Sequence, residues 1–168
     1  MPQQTFRFAQ KSDTALILSF IRQLADYERM LGEVVATEEL LGHWLFEKHA
    51  AEVLFVCDHG KEVGFALFFH NFSTFLGRAG LYLEDLFVLP DYRGRGHGIG
   101  LLRKLARIAV ERGCGRFEWT CLDWNKPSID LYTSFGARPM SDWTIYRLAG
   151  EDLRAFAQSG KEATDEAK

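Results

Sequence analysis

Arg93-Gly94-Arg95-Gly96-His97-Gly98-Ile99-Gly100 is the stretch on which the reading of this chain turns. It follows an apolar segment of strand character, Leu81 to Leu89. It precedes a run, Ile99 to Arg112, whose Leu102, Leu105, Ala106 and Ala109 mark an amphipathic helix. A loop of this kind lets successive backbone N–H groups converge on one point, and the following helix adds its positive N-terminal end. That combination can wrap a diphosphate. Two other phosphate loops fail residue by residue. A G-x-G-x-x-G fingerprint starting at Gly94 requires glycine at 99 and meets Ile99; starting at Gly96 it meets Leu101. A P-loop requires Gly-Lys-Ser/Thr, and no such triplet follows.

Working outward, Thr5 to Ala9 predicts a first strand. Ser12 or Asp13 is placed to cap a helix carrying Ile17, Phe20, Ile21, Leu24 and Leu31. Thr37 opens a shorter helix with Leu40, Leu41, Trp44 and Leu45. Val53 to Cys57 and Lys61 to His70 predict strands joined by a tight turn at His59-Gly60, and Asn71 to Gly80 is a looser connection. Beyond the loop and its helix, Arg116 to Leu122 predicts another strand. Pro127 sits in the first turn of a helix that stops near Gly136. Trp143 to Leu148 is expected as a closing strand and Asp152 to Ala157 as a short helical piece. Ser159 to Lys168 is expected to be a disordered tail.

The 168 residues are enough to bury a sizeable core, and 47% of them are hydrophobic, with 14 Phe. The formal net charge of -3 argues against a nucleic-acid protein, which would carry a basic excess. The charge is uneven: Asp26, Glu28, Glu33, Glu38 and Glu39 cluster early, whereas Arg93, Arg95, Arg103, Lys104, Arg107 and Arg112 cluster late. Such a split suits a site meeting a cation on one side and an anion on the other, as well as two solvated faces. Cys57, Cys114 and Cys121 show neither metal nor disulfide spacing, and the five His are scattered, so no metal is expected. Met1 to Asp13 has no apolar signal-peptide core, and the apolar run Val63 to Phe69 is too short to span a bilayer. A soluble cytoplasmic α/β protein is expected, with no membrane or nucleic-acid partner.

Arg93-x-x-Gly96-x-Gly98, between a strand and a helix, resembles the acetyl-CoA loop of the GNAT acetyltransferases. Tyr82-Leu83-Glu84-Asp85, Asp91-Tyr92-Arg93-Gly94, Asp123-Trp124-Asn125, Tyr132 with Gly136-Ala137, and Leu24-Ala25-x-Tyr27-Glu28 are similar to the diamine (spermidine/spermine) acetyltransferases and their thialysine-acetylating relatives. The resemblance spans residues 5–148. It implies a GNAT fold over residues 1–150, a mixed, mostly antiparallel sheet flanked by helices and splayed at the cofactor site. It also implies a homodimer, acetyl-CoA as co-substrate, and a small amine as acceptor.

The resemblance further assigns residues. Arg93, Gly94, Arg95, Gly96, His97, Gly98 and Ile99 would hold the diphosphate and Leu86, Phe87 and Val88 the pantetheine arm; Asn125, Ser128 and Tyr132 would form a CoA-facing stripe of the next helix, with Lys126 and Pro127 also at the cofactor. Acetyl transfer needs a neutral amine, yet an alkyl amine titrates near pH 10, so a carboxylate acting through water is suited to receive its proton. By the resemblance, Glu84 would be the catalytic acid that contacts the amine, and Tyr132 the proton donor to the departing thiolate. Tyr27, Glu28, Asp85, Glu118, Trp119 and Thr120 would line the acceptor pocket, with the Tyr27 ring as a cation–π wall. Glu84 and Asp85, adjacent on a strand, reach one site only if a bulge intervenes.

One departure bears on the acceptor. Where polyamine enzymes carry Asp-Pro-Trp, this chain has Ser73-Thr74-Phe75, and Leu122-Asp123-Trp124-Asn125 looks more like the thialysine branch. A short diamine or a lysine-like amine is therefore expected over a long polyamine. A protein or peptide amine, an aminoglycoside, and a non-catalytic acyl-CoA-binding module are the alternatives.

Overall fold

His59 and Gly60 both take positive φ, 49° and 81°, the geometry whose twist matches a two-residue hairpin. The turn joins β2 (Glu52–Asp58) to β3 (Lys61–Ser73) in a computed structural model that describes residues 4–159. Contacts divide the chain into two compact units, Met1–Thr120 and Cys121–Lys168. In the first, β1 (Gln4–Phe8), β2, β3, β4 (Arg78–Val88) and β5 (Phe117–Trp119) form one sheet in that order. Neighbours run antiparallel except β4 and β5, which are parallel and joined through α3 (His97–Glu111). The mixed, mostly antiparallel sheet expected from the sequence is therefore present.

Val53 to Asp58 of β2 are all buried, as befits a strand covered on both faces. On one face, Ile17, Phe20 and Leu24 of α1 (Thr14–Tyr27) meet Val53, Phe55, Cys57, Phe65 and Phe87. The Phe20 ring stacks on Phe65 at 5.4 Å and lies 6.1 Å from Phe55 and 6.3 Å from Phe87. The helical stripe Leu101, Leu102, Leu105, Ile108 and Ala109 buries α3, which packs against β2, β3 and β4. Thr37 caps α2 (Glu38–Leu41), its Oγ1 accepting from the Leu40 N–H at 3.2 Å, and the chain then widens into a π-helical turn, Gly42–Glu47.

Several local expectations are corrected. Asp13 stands at the start of α1 without capping it. Its carboxylate accepts instead from the Gln10 N–H at 2.7 Å and from both terminal nitrogens of Arg7, which hold its pKa below the usual range. The loose Asn71–Gly80 connection is mostly strand, because β3 and β4 pair as far as Ser73 and Arg78 and leave only a short turn. The strand expected over Arg116–Leu122 shrinks to Phe117–Trp119, since only those residues find partners on β4.

In the second unit, α4 (Lys126–Ser134) holds Pro127 in its first turn and ends before Gly136, at φ 93°. Residues 143–148 form no strand; alternation alone does not make one where no partner accepts its hydrogen bonds. α5 (Gly150–Gln158) contains the helical piece expected there, and residues 160–168 of the expected tail lie outside the described residues. Among the described residues, no helix is long and apolar enough to cross a membrane.

Candidate active site

The β4 register slips at the acid pair. Leu67 lies opposite Asp85 and Phe68 opposite Leu83, so Glu84 is an extra residue, a bulge at the position that adjacent acids require. On its other edge β4 pairs with β5 only through Leu81–Leu83. Among the described residues, no strand pairs with Glu84–Val88 on that side.

Alternation then fixes which groups face the open edge. The Leu81 N–H donates to Arg116 O on the β5 side, and the Leu89 N–H donates to Val63 O on the β3 side. Counting back from Leu89 with period two, Phe87 turns its N–H toward β3, whereas Leu86 and Val88 turn theirs to the open edge. Of the three residues expected to offer main-chain donors, Phe87 is thus the exception, and its ring lies in the core at 4% exposure. Arg93 Nε donates to Val88 O at 3.0 Å. The start of the glycine-rich loop is in this way tied to the end of the open edge.

Three carboxylates gather on this unit. Burial first, then the charges of Glu84 and Glu28, push the Asp85 carboxyl up to about 6. Burial also pushes the Glu28 carboxyl up. Glu84 itself is exposed on the bulge. A cationic amine placed among these acids would relieve their mutual repulsion and hold Asp85 ionised.

Tyr27 presents its ring to this chain's own Arg93, whose guanidinium carbon lies 4.8 Å from the ring centroid and 5.3 Å from that of Phe87. One face of the expected cation–π wall is therefore already covered by a cation. Glu118 is likewise engaged. Arg116 Nε reaches its carboxylate at 2.9 Å and the Asn71 amide donates to it at 3.0 Å, which sets it apart from the three clustered acids. Trp119 closes the β4–β5 ladder opposite Leu83, with its ring 4.9 Å from Phe117, and the exposed Thr120 follows.

Gly94 and Gly96 take φ of 73° and 86°, conformations that side chains resist, and Gly96 leads into α3. The first bond of α3 runs from the Gly100 N–H to Gly96 O, so the N–H groups of His97, Gly98 and Ile99 have no acceptor within the helix. Those donors, with the positive helix end and Arg93 and Arg95, fit an anion such as a diphosphate. The His97 side chain, in contrast, is 1% exposed and turned inward, which leaves only its main chain for a phosphate.

In the second unit, Asn125 stands at the N-terminus of α4 and Lys126 pairs with Asp130. Ser128 and Tyr132, four residues apart, share a helix face, and the Tyr132 ring meets Phe135 edge-on at 6.2 Å. Burial, and then the charge of Cys121, push the Tyr132 phenol up against a small opposing effect of its hydrogen bond with Ser128. It stays protonated throughout the neutral range.

The acetyltransferase (GNAT) family model matches residues 19–137, and the chain belongs to that family. It is an N-acetyltransferase by that membership. Aligned over 169 residues, covering 94% of this chain and 99% of the relative, it is 36% identical to the thialysine N-epsilon-acetyltransferase of Sus scrofa. It is 31% identical to the L-ornithine N5-acetyltransferase of Arabidopsis thaliana over 89% of this chain and 86% of that one. Among solved structures, an integron cassette protein from the mobile metagenome of V. cholerae shares the fold with TM-score 0.78 at 28% identity, covering 93% and 98% of the two chains. An aminoglycoside N-acetyltransferase solved with CoA shares it with TM-score 0.69 at 18% identity, covering 88% of this chain and 95% of that one.

Proposed function

We propose that the chain moves the acetyl group of acetyl-CoA directly onto the primary amine of a small cationic acceptor, a short diamine or a lysine- or ornithine-like amine. The observation that carries this reading is the acid cluster beside the unpaired half of β4. Asp85 titrates near 6, flanked by Glu84 and Glu28, at the point where the strand edge opens. The names of the thialysine and ornithine relatives support the acceptor class.

The roles divide by environment. Glu84, exposed on the bulge, contacts the ammonium. Asp85, whose carboxyl is pushed up to about 6 by burial and the neighbouring acids, draws the proton away through water, so that the neutral nitrogen can attack the thioester carbon. The Leu86 N–H, aimed from the open edge, receives the charge that develops on the carbonyl oxygen. As the C–S bond breaks, a proton must reach the sulfur. Tyr132 is assigned that donation on its chemistry, since burial keeps its phenol protonated. No cysteine acts as an acyl carrier. The diphosphate sits on the Gly94–Ile99 loop, and the resemblance of the sequence to its family assigns Asn125 to Ser128 to the cofactor as well.

The same reading carries a homodimer and one acetyltransferase domain through residue 150, both supported by the resemblance of the sequence to its family, and a cytoplasmic location, supported by cysteines without disulfide spacing. Free-thiol release from acetyl-CoA over putrescine, spermidine, spermine, thialysine, ornithine, lysine, an aminoglycoside and a peptide tests the acceptor. Turnover greatest on thialysine, ornithine or putrescine is expected. Turnover confined to the peptide or aminoglycoside would overturn the small-amine assignment.

A further inference from the structure

The diphosphate loop ends on a buried imidazole that the chemistry above does not use. His97, the first residue of α3, faces Asp58, the last residue of β2, itself 7% exposed. His97 Nε2 lies 3.7 Å from Asp58 Oδ2, and the other carboxylate oxygen lies 3.7 Å from Nε2 of the exposed His59. Both separations exceed a hydrogen bond. His97 Nε2 and Asp58 Oδ1 are buried without hydrogen-bond partners among the described residues. Leaving such groups unmatched is costly. On the opposite side of the ring, Nδ1 is 3.5 Å from the Gln4 amide nitrogen. That amide lies across α3 at Gly100, where a Cβ would come within 2.2 Å of it. Glycine at 100 is thus what admits Gln4 to the imidazole.

We infer that His97 is a positioning residue for the CoA diphosphate: it takes up a proton as the diphosphate seats and closes onto Asp58, so that cofactor affinity rises as pH falls. The inference rests on the reading of residues 93–99 as the diphosphate site. On this inference the Gln4 amide nitrogen donates to Nδ1 before the diphosphate binds, and the Nε2–H faces Asp58. The added proton comes from solvent onto Nδ1, and the Gln4 amide turns so that its oxygen accepts from it. Both ring nitrogens then donate, Asp58 balances the new charge, and the imidazolium lies at the helix end that the anion approaches.

The groups facing His97 are few. Asp58 comes from β2, His59 from the turn and Gln4 from β1. The Tyr92 ring lies 6.3 Å away, with Lys61 of β3 and Arg95 of the loop over it at 5.5 and 5.3 Å. α3 places no acid in its own first turn. A pKa higher in the complex than in the free protein makes binding tightest below the free value. Binding weakens as pH rises through the bound value, by about tenfold for each unit of difference.

Isothermal titration calorimetry with 3′-dephospho-CoA tests this, because that probe lacks the phosphate monoester whose own pKa of about 6 would blur the result. Measurements at pH 6 and 8, in buffers of different ionisation enthalpy, give affinity and proton uptake together. The wild-type chain is expected to bind about tenfold more tightly at pH 6, with net proton uptake. His97→Gln loses both effects, His59→Gln keeps them, and Gly100→Ala, which displaces Gln4, weakens them. Flat wild-type binding without proton uptake would overturn the inference, as would unchanged pH dependence in His97→Gln. Where His97→Gln fails to fold, the other arms still test the inference: flat wild-type binding, or loss of the pH dependence in His59→Gln, overturns it. Failure of the wild-type chain to bind the probe at either pH would overturn the loop reading itself, and this inference with it.

Discussion

Arg78–Leu83 and Glu84–Val88 are consecutive stretches of one strand, β4, and they serve opposite ends. In the first stretch, Leu81 to Leu83 have β3 on one side and β5 on the other, and Leu81 and Leu83 are buried. The second stretch keeps β3 but has no described partner on its other edge, and it begins with two acids. A bare strand edge is ordinarily a liability for a soluble protein. Here the same unpaired N–H groups are donors held in place by a fully paired neighbour, beside carboxylates whose repulsion an ammonium would relieve. The bulge at Glu84 marks the change and shifts the alternation, so that Leu86 rather than Asp85 presents its N–H outward.

The largest effect expected from breaking the second stretch is in catalysis. Asp85→Asn should lower kcat/KM for the amine about 10²–10⁴-fold at pH 7.5 in a thiol-release assay. Leu86→Pro removes one outward N–H from an edge where proline fits, and should lower kcat about 10²–10³-fold. Its thermal unfolding should move less than that of Leu81→Pro. That change in the first stretch deletes the bond to Arg116 O and a fully buried side chain, and should cost on the order of 3 kcal/mol by denaturant titration.

The smallest expected effect runs the other way. The Asp85 pKa is raised from 3.8 to about 6, so the folded chain holds more protons than the unfolded one between those values, and stability falls as pH rises through them. Asp85→Asn removes that penalty. The variant should be more stable than wild type above pH 6, by up to about 2–3 kcal/mol, and no more stable below pH 3.8.

The sequence made legible what depends on near neighbours. The positive-φ turn at His59-Gly60, the Thr37 cap, the helix after Gly96 and the need for a bulge between Glu84 and Asp85 all follow from adjacent residues. What it hid depends on pairing across the chain. Asn71–Gly80 looks loose until β3 and β4 zip through it, and Arg116–Leu122 looks like a full strand although only Phe117–Trp119 finds partners. Side-chain direction was hidden for the same reason. Nothing near Glu118 in sequence reveals Asn71, nothing near Tyr27 reveals Arg93, and His97 reads as a loop residue until Asp58 and Gln4 are seen around it. The acid ending β2 was the available signal, a charge that closes the apolar run Val53–Cys57 and is itself buried.

The dependence of kcat/KM on pH, compared between wild type and Asp85→Asn, tests most directly whether the open half of β4 is the catalytic half. Wild type should show an ascending limb with a midpoint near 6, as Asp85 loses its proton, and the variant should lose that limb while keeping the rise due to the amine. An unchanged limb in the variant would contradict the account and move the proton acceptor away from Asp85.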